Sequence, residues 1–338
     1  MRRRHATMKD IARAAHVNQS TVSRVLGAGD GTSISAEVRR RVLRIARQMD
    51  YHHNPSAVAL RTGETRTVMV VVSDMTDTYY AGIISGVEEV LVARGYSLVL
   101  HSLVQAGPPE DLPRFMRRYH FDGVLMLGAL PGLPDESITA LAGRGRPLVL
   151  IARALKSGAL PSVTAANGEG GGLAAEHLCG LGHRRIAVMR GPRGWPDFNE
   201  RIAGFRAEMK RRGIDSRSLV LYPCASRRSD SGFAATKALL AESKPTALFC
   251  INDATAIGAL RAVREAGLRV PRDVSVVGFD DSEIAEYSSP PLTSIRQPRV
   301  QMGKEGAMLL MEAMQGRPAV SRVLDVELVV RESTCRLP

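Results

Sequence analysis

The residues best suited to chemistry near the amino terminus form a short polar group. Gln19, Ser20 and Arg24 fall on one side of a predicted helix, while Val22 and Val25 fall on the other. An arginine can donate two hydrogen bonds to guanine, a glutamine carboxamide can pair with adenine, and a serine hydroxyl can pair with either base. The spacing therefore suits a surface that reads base edges in a DNA groove.

Three short helices are predicted to carry this group. Thr7 and Asp10 have the spacing of a capping box, which starts a first helix. A second helix runs from Gln19 to Leu26, and Ser35 caps a third. Short helices with polar residues at the start of the second predict a helix-turn-helix module. A plain three-helix cap with a solvated basic face is the alternative.

The positive charge is concentrated at the start of the chain. The 338 residues carry a formal net charge of +12, and residues 1–66 contribute +8 of it, from 13 Lys and Arg against 5 Asp and Glu. Such a concentration is typical of a module that binds phosphates. A membrane-surface arm or a merely soluble face would carry the same charge, so the helical pattern is what favours DNA.

Several kinds of reactive site are missing from the sequence. The four cysteines are far apart and form no C-x-x-C motif, which argues against zinc and against disulfides. No G-x-S-x-G motif, carboxylate pair or Cys/His pair has a recognisable spacing. The glycine run at 170–172 lacks the Lys-Ser/Thr of a phosphate-binding loop. We predict no catalytic residues, no metal and no cofactor, and hence no enzyme.

No apolar run approaches the roughly 20 residues that span a bilayer, and the basic start is not followed by an apolar stretch. We therefore expect no signal peptide, no membrane contact and a cytoplasmic protein. Beyond residue 66, apolar strands alternate with helices, and the alternation restarts after Val163. This pattern predicts an α/β core of two doubly wound parallel-sheet lobes, with a ligand cleft at the carboxyl ends of their strands.

Several stretches of the chain resemble the lactose-repressor (LacI/GalR) family of bacterial regulators. The most diagnostic is Thr-Val-Ser-Arg-Val-Leu at 21–26, within 8–26, and residues 54–62 look like the family hinge. Further matches in order and spacing are 181–187, 201–205, 252–258 and 276–281. The resemblance implies an all-α helix-turn-helix head, core lobes of periplasmic-binding-protein type, a homodimer, a double-stranded DNA operator and a small-molecule effector.

By this resemblance the second helix lies in the major groove. The implied DNA-binding residues are Gln19, Ser20, Thr21, Ser23, Arg24, Asn54, Ala57 and Leu60. Thr21 and Ser23 suit phosphates, which fix register without reading sequence. Leu60 occupies the position that wedges into the minor groove and kinks the duplex. The alternative is that Leu60 is an incidental apolar residue in a linker.

The resemblance also implies an effector pocket. Its residues are Ser73, Asp74, Tyr80, Arg153, Trp195, Asp197, Arg201, Asn252 and Asp280. A buried Arg201 needs an acceptor, and a sugar hydroxyl pair or a carboxylate suits its fork. Trp195 offers a flat face to a pyranose or is core packing, and Asp280 binds hydroxyls or is an internal partner. Arg153 favours an anionic effector, such as a sugar acid, unless it pairs with Asp74 or Asp280.

The resemblance covers the whole chain and suggests its domains. They are a DNA-binding domain at 1–52, a hinge helix and linker at 53–66, and an effector-binding and dimerisation core at 67–338. The expected lobes are about 67–162 with 291–320, and about 163–290 with 321–338. The implied function is a repressor of a carbohydrate or sugar-acid operon, released from a palindromic operator by its effector. A periplasmic-type sugar-binding protein, an activator and a corepressor-dependent regulator are the alternatives.

Overall fold

The structure is a computed structural model that describes residues 6–26, 34–51, 63–103, 112–130, 132–143, 146–215 and 219–337. The chain divides into two compact units, Met1–Thr65 and Arg66–Pro338. Asn54, Ala57 and Leu60, which the sequence analysis places in a hinge, lie outside the described residues.

The first unit contains the three predicted helices. They are α1 (Met8–Ala14), α2 (Gln19–Leu26) and α3 (Ala36–Gln48). Both halves of the capping box are present, since the Asp10 amide donates to Thr7 Oγ1 at 3.3 Å and the Thr7 amide donates to Asp10 Oδ2 at 2.9 Å. The buried side chains that join the helices are Ile11, Ala12, Ala15, Val22, Val25, Val42 and Ala46. The capped helices and their small core give the arrangement that the sequence predicts.

Strands and helices alternate along the second unit. Its first part contains β1 (Thr67–Val72), α4 (Tyr79–Val92), β2 (Ser97–Ser102), α5 (Leu112–Arg118), β3 (Gly123–Leu127), α6 (Asp135–Ala142), β4 (Leu148–Ile151) and β5 (Ser162–Ala165). Its second part contains α7 (Asn167–Gly180), β6 (Ile186–Arg190), α8 (Pro196–Arg211), β7 (Val220–Pro223), α9 (Ser229–Glu242), β8 (Ala247–Cys250), α10 (Asp253–Glu265), β9 (Ser275–Asp280) and α11 (Glu283–Tyr287). The chain ends with β10 (Thr293–Arg296), α12 (Arg299–Met314), β11 (Arg322–Leu324) and β12 (Glu327–Val329).

These strands form two six-stranded sheets, one for each lobe. The orders are β11-β5-β4-β3-β1-β2 and β12-β10-β9-β8-β6-β7, and the described pairs are parallel except β10 with β12. In each sheet the strand order reverses beside the first strand of the lobe, between β1 and β3 and between β6 and β8. Ligands bind doubly wound folds at such switch points, outside the carboxyl ends of the strands.

The pairing corrects the lobe boundaries expected from the sequence. Strand β10 pairs with β9, so residues 293–296 belong to the second lobe and not to the first. Strands β5 and β11 pair with each other in the first sheet, although 163–165 and 322–324 were expected in the second lobe. The alternating run at 323–330 is two short strands in different sheets. Where the chain passes from one sheet to the other between such short strands, the apolar pattern of the sequence does not change, so the sequence does not mark the crossing.

The glycine run in α7 has a packing role. A Cβ atom at Gly171 would overlap the carbonyl oxygen of Arg201, and one at Gly204 would overlap the carbonyl oxygen of Gly168. Helices α7 and α8 therefore approach closely where both lack side chains. The run lies within α7 and supports a helix contact.

Within the described residues, no helix is long and apolar enough to cross a membrane. In the same part of the chain, no three His, Cys, Asp or Glu side chains are grouped in a way that could hold a metal ion.

Candidate functional site

The residues predicted to read DNA share the outer face of α2. The exposed ones are Gln19, Ser20 and Arg24, and the half-buried ones are Thr21 and Ser23. Arg24 Nε donates to the Ser20 carbonyl oxygen at 3.3 Å, along its own helix. Because Val22 and Val25 are buried, the polar side of α2 faces outward.

A cavity of about 630 Å³ is lined by residues of both lobes. The first lobe supplies side chains within 73–78, which follow β1. The second lobe supplies residues within 192–195, after β6, and within 225–230, after β7. All three loops follow carboxyl ends of parallel strands, as the sequence predicted. Of the nine predicted pocket residues, Ser73, Asp74 and Trp195 line this cavity.

Arg227 joins the two sides of the cavity. Its guanidinium forms an ion pair with Asp77 of the first lobe. It also lies over the ring of Trp195, 4.2 Å from the centroid, and 5.6 Å from the ring centroid of Tyr80 in the first lobe. Burial lowers the pKa of Arg227 to about 10, although Asp280 and Asp74 act in the opposite direction. Groups from both lobes therefore stabilise this cation.

A second charged cluster is buried in the second lobe around Arg201. This side chain is 2% exposed, and its Nη2 lies 3.6 Å from Asp197 Oδ2. Its Nη1 lies 3.5 Å from Asp280 Oδ1 and donates to the carbonyl oxygen of Ile251. Its Nε donates to Asn167 Oδ1 at 2.9 Å. The predicted residues Asp197, Arg201 and Asp280 are thus brought together.

Both carboxylates of this cluster have a raised pKa. Desolvation raises the pKa of Asp197 to about 6, against the lowering effect of Arg201. Desolvation also raises the pKa of Asp280, which Arg201, Arg299 and Arg227 oppose. A polar ligand that donates hydrogen bonds to these oxygens would stabilise their charged forms.

Gln297 connects the Arg201 cluster with the first lobe. Its Nε2 donates to Asp280 Oδ1 at 2.6 Å, and its Oε1 accepts from the Tyr79 hydroxyl at 3.2 Å. Burial raises the pKa of Tyr79, so the phenol keeps its proton and remains a donor. Hydrogen bonds and an ion pair therefore run from Arg201 through Asp280 and Gln297 to α4 of the first lobe.

Two further predicted pocket residues, Tyr80 and Asn252, contact residues that line the cavity. The hydroxyls of Ser73 and Tyr80 are 3.2 Å apart, and Tyr80 is buried. Asn252 caps α10, because its Oδ1 accepts from the Thr255 amide at 3.1 Å. Asn252 Nδ2 donates to the Arg227 carbonyl oxygen at 2.9 Å, so it also holds the loop that carries Arg227.

The structure does not bring Arg153 into the cavity lining. Its Nη2 lies 2.5 Å from Asp135 Oδ1 in the first turn of α6, and neither Asp74 nor Asp280 is its partner. Strands β3 and β4 are adjacent and parallel, so the residue after β4 meets the helix that follows β3. The argument that Arg153 attracts an anionic effector therefore loses its basis.

Trp195 does not present a free face to a sugar ring. The residue is 7% exposed, its ring stacks on Phe198 with centroids 5.4 Å apart, and Arg227 covers it. Of the two interpretations from the sequence, core packing describes this geometry better.

Sequence reasoning missed Arg227, Asp77, Gln297 and Tyr79. Arg227 and Gln297 each follow the carboxyl end of a strand, which is the position that also marks Ser73 and Asn252. Their position after a strand could therefore have identified Arg227 and Gln297 from the sequence. No sequence feature predicts the pairing of Arg227 with Asp77, because it depends on how two loops from different lobes meet.

Two protein-family models match the chain. The model described as bacterial regulatory proteins, lacI family, matches residues 7–54, and the periplasmic binding protein-like domain matches residues 175–334. The transcriptional regulator CelR of Thermobifida fusca is 36% identical, over 98% of this chain and 99% of CelR. The transcriptional repressor CytR of Escherichia coli K12 is 33% identical, over 98% of this chain and 97% of CytR.

The chain belongs to the LacI family. Solved structures agree with this membership. The lac repressor dimer bound to operator and the anti-inducer ONPF is similar with a TM-score of 0.87 and 28% identity, covering 98% of this chain and 100% of that one. The complex of CelR with cellobiose gives a TM-score of 0.71 and 34% identity, covering 97% and 99%.

LacI-family membership confirms two predictions from the sequence: the family resemblance itself, and a helix-turn-helix head with two α/β lobes. This protein is therefore a DNA-binding transcriptional regulator of the LacI family. The match at 7–54 argues against a periplasmic-type binding protein without a regulatory role. Its relatives are transcriptional regulators and not enzymes.

Proposed function

We propose that this LacI-family regulator represses an operon for carbohydrate or sugar-acid use, and that a sugar bound between its lobes releases it from a palindromic operator. The observation that carries the proposal is the cavity whose charged lining pairs across the two lobes through Arg227 and Asp77. A ligand there contacts both lobes and so shifts the equilibrium between their arrangements. The relative CytR is named a repressor, and CelR has been solved with cellobiose.

The lining favours a neutral, hydroxyl-rich effector over an acid. Among the described residues, its charged side chains are Arg193, Arg227, Arg228, Asp74, Asp77 and Asp230. Three cations against three anions leave no excess positive charge for a carboxylate. The lining also contains hydroxyl groups from serine and threonine, which suit a sugar, and a few apolar residues.

The regulator acts in the cytoplasm as a homodimer whose two-fold symmetry matches that of its operator. Gln19, Ser20 and Arg24 read bases, Thr21 and Ser23 bind phosphates, Leu60 bends the duplex, and Asn54 and Ala57 also contact DNA. By thermodynamic linkage, the sugar weakens DNA binding by the same factor by which DNA weakens sugar binding.

A binding experiment with the full chain tests this function. Operators are selected from a pool of random duplexes, and their binding is measured by fluorescence anisotropy with cellobiose, ribose, gluconate and glucuronate. We expect a palindromic duplex to be selected and one of the two neutral sugars to release it. Tighter DNA binding with a sugar would mean corepression, and indifference to every selected duplex would contradict the proposal.

Replacing Arg24 with alanine tests base reading by α2. We expect Arg24→Ala to lose about 1–3 kcal/mol of binding to the selected operator and to tolerate more bases at one position of each half-site. Operator and random duplexes are compared by anisotropy at equal salt. Arg206→Ala, which removes an exposed arginine of the core, is the control. An equal loss of affinity for both duplexes would mean that Arg24 contacts phosphate.

A further inference from the structure

The turn that carries Asp280 has an unfavourable backbone conformation. Asp280 has φ of 111° and Asp281 has φ of 46°, so two consecutive non-glycine residues lie in the left-handed region. Each such residue is strained and persists only where its surroundings hold it. Some part of the second lobe must therefore hold this turn.

Asp253, at the start of α10, supplies acceptors that hold the turn, in addition to Arg296 and Arg331, which pair with the Asp281 side chain, and Arg299, which donates to the Asp281 carbonyl oxygen. It is 1% exposed. Its Oδ2 accepts from the amide and the hydroxyl of Ser282 at 2.7 and 2.8 Å, and its Oδ1 accepts from Ser294 Oγ at 2.6 Å. Ser294 Oγ in turn accepts from the Asp281 amide at 3.1 Å. One buried carboxylate thus fixes the residue after the turn directly and Asp281 through a hydroxyl.

Strand β9 leaves room for the Asp253 carboxylate. A Cβ atom at Gly278 of β9 would overlap Asp253 Oδ1, so only glycine leaves room for it. Within the described part of the chain, Asp253 makes no ion pair of its own. Its hydrogen bonds therefore hold the turn, through Ser282, and strand β10, through Ser294.

We infer that Asp253 is a positioning residue for the effector site: without contacting the effector, it holds the Asp280–Asp281 turn so that Asp280 faces Arg201 and Gln297. The inference rests on the proposed function, since it assumes that a sugar binds between the lobes, and it adds that Asp280 contributes to that binding. It predicts that losing Asp253 acts on sugar binding only through Asp280.

Three variants remove different parts of the support. Asp253→Asn places an amide nitrogen where donors point, Ser294→Ala removes the bridge to the Asp281 amide, and Ser282→Ala removes one bond and keeps the other. Ser288→Ala is the matched control, because among the described residues Ser288 Oγ donates only to the carbonyl oxygens of Ala285 and Pro290. Ser282→Ala keeps the test possible if the more severe variants fail to fold.

The first readout needs no ligand. Crystal structures of the unliganded wild type and variants should show the Asp281 φ leaving the left-handed region in Asp253→Asn and Ser294→Ala, with Asp280 withdrawn from Arg201. The control should keep the turn. An unchanged turn in the variants that lose these bonds would overturn the inference.

The second readout is a double-mutant cycle with cellobiose as the probe, measured by calorimetry. We expect Ser294→Ala and Asp253→Asn to weaken cellobiose binding at least tenfold in the wild type, and less than twofold in an Asp280→Asn background. If each substitution weakens cellobiose binding by the same factor in the Asp280→Asn background as in the wild type, Asp253 acts elsewhere and the inference is wrong. If the wild type ignores cellobiose, that sugar is not the effector, and the crystal structures alone decide the role of Asp253.

Discussion

At Arg201, the cost of burying charge and the strength of its contacts are both large. The guanidinium lies between two carboxylates and 3.7 Å from the ring centroid of Phe279, with almost no exposure. Removing one member of a buried ion pair is costly, because the charge that remains is desolvated and has no partner. Arg201 therefore contributes both to the stability of the second lobe and to the shape of the site.

Replacing Arg201 with alanine leaves Asp197 and Asp280 buried without their cation. We expect Arg201→Ala to lower the free energy of unfolding by about 3–5 kcal/mol, and to abolish release of the operator by the sugar. Urea denaturation followed by circular dichroism measures the first effect. Arg206→Ala, an exposed arginine of the same helix, should change stability by less than about 0.5 kcal/mol. A loss below 1 kcal/mol for Arg201→Ala would show that water reaches both carboxylates.

Asp197 makes the stability of the core depend on pH in a defined direction. Its pKa is raised from 3.8 to about 6, mainly by desolvation, so the folded state binds a proton more tightly than the unfolded state. Its contribution to stability is therefore complete below about pH 4 and is lost as the pH rises through about 6. Asp197→Asn cannot lose a proton. We expect its stability relative to the wild type to rise by on the order of 2–3 kcal/mol between pH 4 and pH 7 in urea titrations. A constant difference across that range would contradict the raised pKa.

Individual site residues were predictable to different degrees. Arg201, Asp280 and Asp197 follow from the family resemblance, and the internal partner that was one alternative for Asp280 is present as Arg201. The partner of Arg153 was not predictable, because the Asp135 carboxylate lies on a neighbouring helix and sequence spacing does not reveal that contact. Arg227 could have been noted as a cation after a strand, but its partner in the other lobe could not.

Among the helices and strands, the contact between α7 and α8 has the most direct effect on the site. Gly171 lets the Arg201 backbone approach α7, and the Arg201 side chain then reaches Asn167 on the same helix at 2.9 Å. The glycine run at 170–172, which resembles a phosphate-binding loop only in composition, therefore helps to position Arg201.

Gly171→Ala should push the two helices apart. The new methyl group meets backbone, which cannot rotate away, so we expect a loss of about 1–3 kcal/mol in stability and weaker sugar binding. Gly180→Ala, at the last residue of the same helix, meets nothing within 4 Å and should cost nothing. Thermal denaturation and calorimetry compare the two variants. Equal behaviour of both would show that the close approach does not position Arg201.

The longer helices and strands were predictable, because their apolar periods are continuous and their buried faces are wide. The short strands β10 and β11 were assigned to the wrong lobes, since a strand of three or four residues carries no information about which sheet edge it pairs with. The hydrogen-bonded partner decides, and that partner lies more than a hundred residues away for β5 and β11.

At the scale of the whole core, a small set of polar contacts spans the lobes. Asp77 pairs with Arg227, Tyr79 bonds to Gln297, and Arg299 Nη2 of the first lobe donates to the Asp281 carbonyl oxygen at 3.1 Å. Polar contacts can be exchanged for ligand or water at modest cost, whereas an apolar interface would resist opening. These contacts therefore suit lobes whose arrangement a ligand has to change.

Exchanging the charges of Asp77 and Arg227 tests whether this pair holds the lobes together. We expect Asp77→Arg and Arg227→Asp, each alone, to speed amide hydrogen exchange in residues 73–80 and 225–230 about tenfold, because each places like charges opposite one another across the cleft. The double variant restores opposite charges and should recover most of the protection, which corresponds to a coupling of about 1–3 kcal/mol. The same exchange between Glu89 and Lys304, a pair 2.7 Å apart within the first lobe and open to water, should change protection less than twofold. If the double variant is as unprotected as the worse single variant, other contacts hold the lobes and the ion pair only accompanies their closure.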